Sequence, residues 1–247
     1  MARRTEQLMG DHPFTIEVAG PADPGVVDAA FAELRWIDRT FSPFRPDSAV
    51  SRLNAGTLNE AAAEPLVREV LASCRRFERE TGGYFSAWAS GRLDPCGLVK
   101  GWAIARAAAI LERAGYRAYF VDGAGDVLCR GERAPGRPWR VGIRHPRERE
   151  RVVAVVEARD IAVATSGTYE KGAHIVDPHT GHAATDLVSL TVIGPDIVAA
   201  DVYATAAFAM GRDGLAFIEG LAGYEAFAID ADLFSASTSG FEERLAA

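Results

Sequence analysis

The sequence predicts an α+β protein in which helices pack against a largely antiparallel sheet. Segments with strand-like alternation are numerous, and the helical segments between them do not follow the regular strand–helix order of a doubly wound parallel sheet. The chain has 247 residues and is 48% hydrophobic, which is enough for a large buried core. No shift in composition divides it. We therefore expect a single domain over residues 1–247.

The first half of the chain is predicted to be mainly helical. Residues 14–18 alternate apolar and polar side chains, as a half-buried strand does. Apolar residues at helical spacing predict helices over 25–38, 64–80 and 97–114, and the last of these should be largely buried. Between the first two helices, the Ser- and Pro-containing stretch 41–54 is expected to be an ordered loop that leads into a short helix.

The second half is predicted to consist mostly of strands. β-rich segments are separated by turns containing Gly and Pro, in the chain order 117–121, 125–130, 138–143, 152–157, 160–164 and 186–194. An alanine-rich helix over 197–211 follows, and a shorter helix and two strands complete the predicted fold.

Composition excludes several classes of function. The formal net charge of −7 argues against nucleic acid as the main partner, because phosphate binding needs a basic surface. Three widely spaced cysteines predict neither a disulfide framework nor a zinc site. No signal-peptide pattern and no apolar run of about 18 residues is present, so we expect no membrane insertion and a cytoplasmic location.

The stretch DPCGLVKGWA, residues 94–103, could bind phosphate. It places Asp94 and Gly97 at a predicted helix start and Lys100 in the first turn, where exposed N–H groups and a cation attract anions. The alternative is an ordinary capped helix, with Asp94 near the N-cap and Lys100 on a solvated face. The segment alone favours this alternative. The glycines of VDGAGDVL (121–128) would allow a close ligand approach, but a tight hairpin explains them equally well and is favoured when the segment is taken alone.

The stretch ATSGTYEKGAHIVDPHTG, residues 164–181, combines small polar residues with a histidine. Thr165, Ser166 and Gly167 could surround a phosphate or sugar with hydroxyl and N–H groups. His174 could orient or deprotonate an attacking hydroxyl, since the pKa of histidine lies near neutrality. A half-buried histidine that donates to a backbone carbonyl is an equally good interpretation of His174.

The alanine-rich helix carries Asp201 and Thr205, four residues apart and therefore on one face. Carboxylate and hydroxyl oxygens are hard ligands that suit Mg²⁺. As an isolated pair, the two residues are also compatible with a purely structural role. The joint occurrence of four polar segments is what suggests a functional site.

Taken together, these segments resemble the ApbE family of FAD:protein FMN transferases. The matching stretches are, in chain order, MGDHPFTIEV (9–18), FSPFRPDSAVSRLN (41–54), DPCGLVKGWA, GAGD (123–126), ATSGTYEKGAHIVDPHTG and AADVYATAAFAMG (199–211). The resemblance implies a T-fold-like sheet with packed helices. It also implies FAD as substrate, Mg²⁺ as cofactor, release of AMP, and transfer of FMN to a Ser or Thr hydroxyl of an acceptor flavoprotein.

The resemblance also implies roles for individual positions. Asp201 and Thr205 match the family's side-chain metal ligands, and the carbonyl of Gly97 falls where a third ligand is supplied. His174 matches the functional histidine. The flavin- or phosphate-contacting positions correspond to Met9, Phe44, Asp94 and Lys100.

The sequence departs from the family pattern at three places. The stretch between Gly83 and Asp94 is short, Ala124 replaces a usual glycine, and Ala105 or Arg106 falls near an often acidic position. Two other functions remain open: hydrolysis of the FAD pyrophosphate to FMN and AMP, and non-catalytic binding or delivery of FAD. A purely structural protein would leave the ordered polar segments unexplained.

Overall fold

An antiparallel sheet of eight strands forms the framework of the structure. The computed structural model describes residues 2–148, 150–168, 172 and 175–246. The strands in chain order are β1 Ala2–Leu8, β2 His12–Val18, β3 Tyr119–Gly123, β4 Asp126–Arg130, β5 Trp139–Arg144, β6 Val152–Ala158, β7 Ala162–Gly167, β8 Leu187–Gly194, β9 Glu225–Asp230 and β10 Ser235–Ser237. The large sheet has the order β1-β2-β3-β4-β7-β8-β9-β10, and β5 pairs with β6 in a separate two-stranded sheet.

Among the described residues, six α-helices lie between these strands in chain order. They are α1 Pro24–Phe41, α2 Ala49–Asn54, α3 Pro65–Glu80, α4 Cys96–Arg113, α5 Ile197–Ala209 and α6 Gly214–Glu219. Short 3₁₀ segments span 60–62, 211–213 and 242–244. In the described ranges, no helix is long and apolar enough to cross a membrane.

The large sheet is covered by helices on one face and by the small sheet on part of the other. Alternate residues of β2, namely Phe14, Ile16 and Val18, belong to the main core together with the buried residues of α1, α4 and α5. On the opposite face, Trp139 of β5 packs with Cys129 of β4 in a second apolar cluster. The arrangement confirms the predicted combination of helices with an antiparallel sheet.

Most predicted elements agree with the structure to within a few residues, but β1 was not predicted. Residues 2–8 pair with β2 along their whole length, from Ala2 opposite Val18 to Leu8 opposite His12. Five of these residues are charged or polar, and the strand forms an edge of the sheet with alternate side chains exposed. A polar edge strand gives almost no hydrophobic pattern, so the periodicity of the sequence does not reveal it.

Helices α4 and α5 approach closely at Gly101. A Cβ atom at this position would lie 2.8 Å from the carbonyl oxygen of Ile197 and 3.1 Å from Cβ of Asp201. Alanines supply much of the buried surface of α5, and Asp196 caps its first turn by accepting from the N–H groups of Val198 and Ala199. Small residues therefore allow the two helix backbones to come together.

We expect Gly101→Ala to destabilise the protein by about 1–3 kcal/mol, because the new methyl group would overlap the backbone of α5. Alanine is intrinsically better than glycine in a helix by about 1 kcal/mol, so helix propensity alone predicts a more stable variant. A lower stability would therefore come from the overlap with α5. Urea unfolding measures the change. Gly220→Ala is the control, since its Cβ would meet its nearest neighbour at 3.4 Å. Equal stability of Gly101→Ala and the unchanged protein would contradict the described helix packing.

Candidate functional site

Two adjoining cavities lie where α4 and α5 meet the β3–β4 turn and β7. The first has a volume of about 480 Å³ and the second about 410 Å³. His12, Phe44, Cys96, Lys100 and Ala124 line both. Since these residues border the two spaces, the cavities share a wall and could hold two parts of one elongated ligand.

Most of the residues singled out in the sequence line these cavities. The first cavity is bordered by Phe44, Asp94, Gly97, Lys100, Thr165, Ser166, Gly167, Asp201 and Thr205. Met9 lines the second cavity and lies in a turn with left-handed backbone (φ of 52°). His174 lies outside the described residues, whereas Ile175 and Val176 border the first cavity.

The centre of the site is an ion-paired cluster of Lys100, Asp126 and Asp201. Nζ of Lys100 lies 2.6 Å from Oδ2 of Asp126 and 3.6 Å from Oδ1 of Asp201. Both aspartates are almost fully buried, with 1% and 3% of their surface exposed. The alternative of an ordinary solvated helix face does not describe Lys100, because its side chain is 30% exposed and two buried carboxylates from other elements attract its ammonium group.

Asp126 is a residue that sequence reasoning missed. It starts β4 directly after the two-residue turn Ala124–Gly125, and its Oδ1 accepts the Thr165 N–H at 2.9 Å. Asp126 ends the stretch GAGD, for which the sequence suggested roles only at the glycines. The available signal was an acidic residue that follows glycines at the start of a predicted strand. No pattern in the neighbouring sequence connects Asp126 with Lys100.

The turn confirms the hairpin interpretation of the glycine-rich stretch, and the close approach of a ligand stays a prediction. It is a tight hairpin in which Ala124 and Gly125 have φ of 57° and 94°, and Gly125 also borders the first cavity. Ala124 therefore stands in the left-handed region that favours glycine, which gives a physical reason for a glycine at this place. Its N–H donates to the carbonyl of Pro13 at 3.0 Å and joins the turn to β2.

Asp201 is held in place by the close approach of the two helices. Its Oδ2 accepts the Gly101 N–H at 2.8 Å. Burial raises the pKa of Asp201 well above its usual range, while the ammonium of Lys100 opposes this rise and the Asp126 carboxylate adds to it. The carboxylate thus lies in an environment that disfavours its charge, and a further cation would stabilise it.

Gly97, Asp201 and Thr205 come together as the sequence predicts. Thr205 Oγ1 donates to the carbonyl of Asp201 at 3.2 Å and lies 3.3 Å from Oγ of Ser166. A Cβ on Gly97 would lie 3.7 Å from the Thr205 hydroxyl and 3.2 Å from the ring of Phe85. The first turn of α4 therefore faces the side of α5 that carries Asp201 and Thr205.

The donor set of this site suits a small hard cation. Across the described ranges, no group of three or more His, Cys, Asp and Glu side chains could hold a metal ion. A cation at Asp201 would accordingly depend on hydroxyl and backbone oxygens as well, and Thr205 and Gly97 provide both types nearby. Mg²⁺ is commonly held by few protein ligands of this kind.

The remaining polar residues of β7 are already engaged. Thr165 gives its N–H to Asp126, and its hydroxyl lies 2.9 Å from that of the buried Thr191. The hydroxyl of Ser166 pairs with Thr205. These contacts fix the cavity wall, and direct binding of phosphate by Thr165, Ser166 and Gly167 stays a prediction.

The start of α4 is secured by a short loop and by α2. Oδ1 of Asp94 accepts the Cys96 N–H at 3.0 Å, and the N–H of Asp94 donates to the carbonyl of Ala87 at 2.7 Å. In α2, Oδ1 of Asn54 accepts the Leu93 N–H at 2.8 Å, and Nδ2 of Asn54 donates to the Leu93 carbonyl at 2.9 Å. Asn54 was not identified from the sequence, although it ends the stretch 41–54. The short segment after Gly83 thus forms an ordered wall of the first cavity.

Cysteine labelling tests the described burial of the site. We expect a thiol reagent to modify Cys96 rapidly, because Cys96 is exposed at the cavity junction. Burial raises the pKa of Cys74 and of Cys129 to about 12, so little thiolate forms there near neutral pH. Mass spectrometry after brief labelling identifies the modified residue, and Cys96→Ser serves as the control. Rapid modification of Cys74 or Cys129 in the folded protein would contradict the structure.

Comparison with known proteins gives matches within one family. The profile of the ApbE family matches residues 11–91 and 86–228. The FAD:protein FMN transferase of Vibrio cholerae O395 is 32% identical over 161 residues, which cover 61% of this chain and 47% of that protein. For the Treponema pallidum protein of the same name, the identity is 30% over 178 residues, covering 64% and 49%. The chain thus matches less than half the length of these relatives.

Solved structures show the same fold. A structure of "Flavin Transferase ApbE from Vibrio cholerae" superimposes with a TM-score of 0.86 at 23% identity and covers 99% of both chains. The apo form of Pseudomonas stutzeri flavinyl transferase ApbE gives a TM-score of 0.82 at 27% identity, covering 100% of this chain and 97% of the other. Because the family profile spans most of the sequence, the chain belongs to the ApbE family.

Proposed function

We propose that this protein is a Mg²⁺-dependent FAD:protein FMN transferase that acts as a single domain. It would move FMN from FAD to a Ser or Thr hydroxyl of an acceptor flavoprotein and release AMP. The observation that carries the proposal is the Lys100–Asp126–Asp201 cluster, in which both aspartates are buried, at the junction of two cavities. The names of the matched relatives support the same activity.

The paired cavities are suited to a dinucleotide. FAD has two ring systems joined by a diphosphate, and each cavity lies within the common size range of small-molecule sites, about 300–1,000 Å³. Lys100 and the first residue of α4, Cys96, border both spaces. A diphosphate at this junction would meet the positive end of the helix dipole and the ammonium group. Met9 and Phe44 would then contact the ring systems.

The residues present fit the proposed metal ion. Asp201, Thr205 and the carbonyl of Gly97 would hold Mg²⁺, because they offer hard oxygen donors and the burial of Asp201 favours a cation beside it. When bound, Mg²⁺ would neutralise the charge of the diphosphate as AMP leaves.

The chain's own groups would orient the substrates for the transfer. The acceptor oxygen forms a bond to the FMN phosphorus, and the bond between that phosphorus and the oxygen that leaves with AMP breaks. We assign His174 as the group that receives the proton of the acceptor hydroxyl, on the basis of the family resemblance. Lys100 would stabilise the negative charge on the phosphates, and the walls of the cavity would hold the reacting atoms in line.

The proposal is tested by incubating the purified protein with FAD and Mg²⁺, with and without a candidate acceptor flavoprotein. We expect AMP release together with covalent flavin fluorescence on the acceptor. AMP and free FMN formed without an acceptor would indicate a hydrolase instead. Tight FAD retention with no AMP in either reaction would indicate a binding or delivery protein.

We expect Asp201→Asn to reduce AMP release to background without unfolding the protein. Asparagine keeps an acceptor for the Gly101 N–H but removes the charge needed for a cation. Burial raises the pKa of Asp201, which means that its charged form is costly in the folded protein. Without metal, Asp201→Asn should therefore be at least as stable as the unchanged protein. AMP assays and thermal unfolding measure the two effects.

Asp196→Asn is the matched control for this prediction. It removes a carboxylate from the same helix, yet asparagine is an equally good N-cap. Its turnover should therefore stay close to that of the unchanged protein. Full activity of Asp201→Asn would rule out the proposed metal ligand.

A further inference from the structure

We propose that Asp126 is a positioning residue for the transfer reaction, holding the ammonium of Lys100 at the junction of the two cavities. This inference rests on the proposed function, because Lys100 would face the diphosphate of FAD there. Asp126 would not touch the substrate. It would act through Lys100 and through the strand that carries Thr165.

The two carboxylate oxygens of Asp126 have separate tasks. Oδ1 accepts the Thr165 N–H at 2.9 Å and joins the start of β4 to β7. Oδ2 lies 2.6 Å from Nζ of Lys100. Because Asp126 is 1% exposed, water does not compete for Oδ2. The carboxylate is fixed on one side by backbone and on the other by the ammonium.

The position of the ammonium is a balance between two carboxylates. Lys100 lies closer to Asp126, at 2.6 Å, than to Asp201, at 3.6 Å. Without the charge of Asp126, the remaining attraction would draw the ammonium onto Asp201. That movement would withdraw Lys100 from the shared wall and occupy the carboxylate proposed to hold Mg²⁺. Asp126 therefore keeps Lys100 and Asp201 available for different parts of the substrate complex.

The residue type at position 100 agrees with this role. Among 27 basic Lys and Arg residues of the sequence, two are lysines, Lys100 and Lys171. An ammonium is a compact charge that can point at two carboxylates from a narrow space, whereas guanidinium presents a planar fork. One of the few lysines of the chain thus lies between the two buried carboxylates.

Asp126→Asn is the decisive substitution. It preserves the size of the side chain and an oxygen acceptor for the Thr165 N–H, but it removes the charge that holds Lys100. We expect AMP release to fall by about tenfold or more through loss of alignment. The affinity for FAD should weaken as well, because the ammonium would move away from the place proposed for the diphosphate.

Two comparisons separate positioning from a structural effect. In a Lys100→Met background, Asp126→Asn should change turnover by less than about twofold, because its partner is already absent. Asp122→Asn is the matched control: Asp122 belongs to the same hairpin and accepts the Gly125 N–H, and its loss of charge should leave turnover within about twofold. Equal losses from Asp126→Asn in the Lys100 and Lys100→Met backgrounds would overturn the proposal.

The scarcity of lysine provides a direct readout that does not depend on activity. Protein labelled with ¹³C,¹⁵N-lysine gives two side-chain NMR signals, and Lys171→Arg identifies the one from Lys100. We expect this signal to show an immobilised ammonium in the unchanged protein and to shift in Asp126→Asn but not in Asp122→Asn. An unchanged Lys100 signal in Asp126→Asn would overturn the inference.

The outcome also distinguishes this inference from the proposed function. If the unchanged protein releases no AMP from FAD with an acceptor present, the proposed function fails, and the positioning role in that reaction fails with it. If the unchanged protein is active and Asp126→Asn retains the full rate, only the role of Asp126 is overturned.

Discussion

The close contact between α4 and α5 is the constraint on which the site depends. Gly101 allows the backbones to approach so that its N–H can donate to Asp201 across the interface, at 2.8 Å. One turn earlier in α4, Gly97 faces Thr205, which lies one turn after Asp201 in α5. The two helices therefore meet through matching positions, and the contact that stabilises the core also aligns the predicted cation ligands. A larger residue at position 101 would separate both pairs.

Burying charge at this contact has consequences for stability and for function. Asp126 and Asp201 together bring two carboxylates into the interior, and Lys100 compensates only part of that charge. Such a cluster disfavours folding unless each charge is paired, because desolvation is costly. Burial raises the pKa of Asp201, and the ammonium of Lys100 only opposes this rise. Incomplete pairing of a buried carboxylate next to a cavity is consistent with a site that receives a further cation.

The sequence could predict the parts of the site that are local along the chain. Asp201 and Thr205 lie on one helix face because they are four residues apart, and Lys100 follows a helix start that is evident from Asp94 and Gly97. Asp126 could not be connected to Lys100 in this way, since the contact joins a strand start to a helix 26 positions away in the sequence. The same limitation applied to Asn54 and Leu93, whose paired hydrogen bonds are formed only by the tertiary fold.

The β3–β4 hairpin explains how a sheet can fix the junction of two cavities. Its last residue in β3, Gly123, packs so closely on Phe14 that a Cβ would approach the ring to 2.7 Å. The N–H of Ala124 donates to the carbonyl of Pro13, and the side chain of Asp126 accepts the Thr165 N–H of β7. Contacts in two directions leave the turn little freedom. Since Ala124 borders both cavities, a rigid turn here fixes where a ligand passes from one cavity to the other. The strands thus determine the position of the charged cluster as much as α4 and α5 do, although these helices carry two of its three residues.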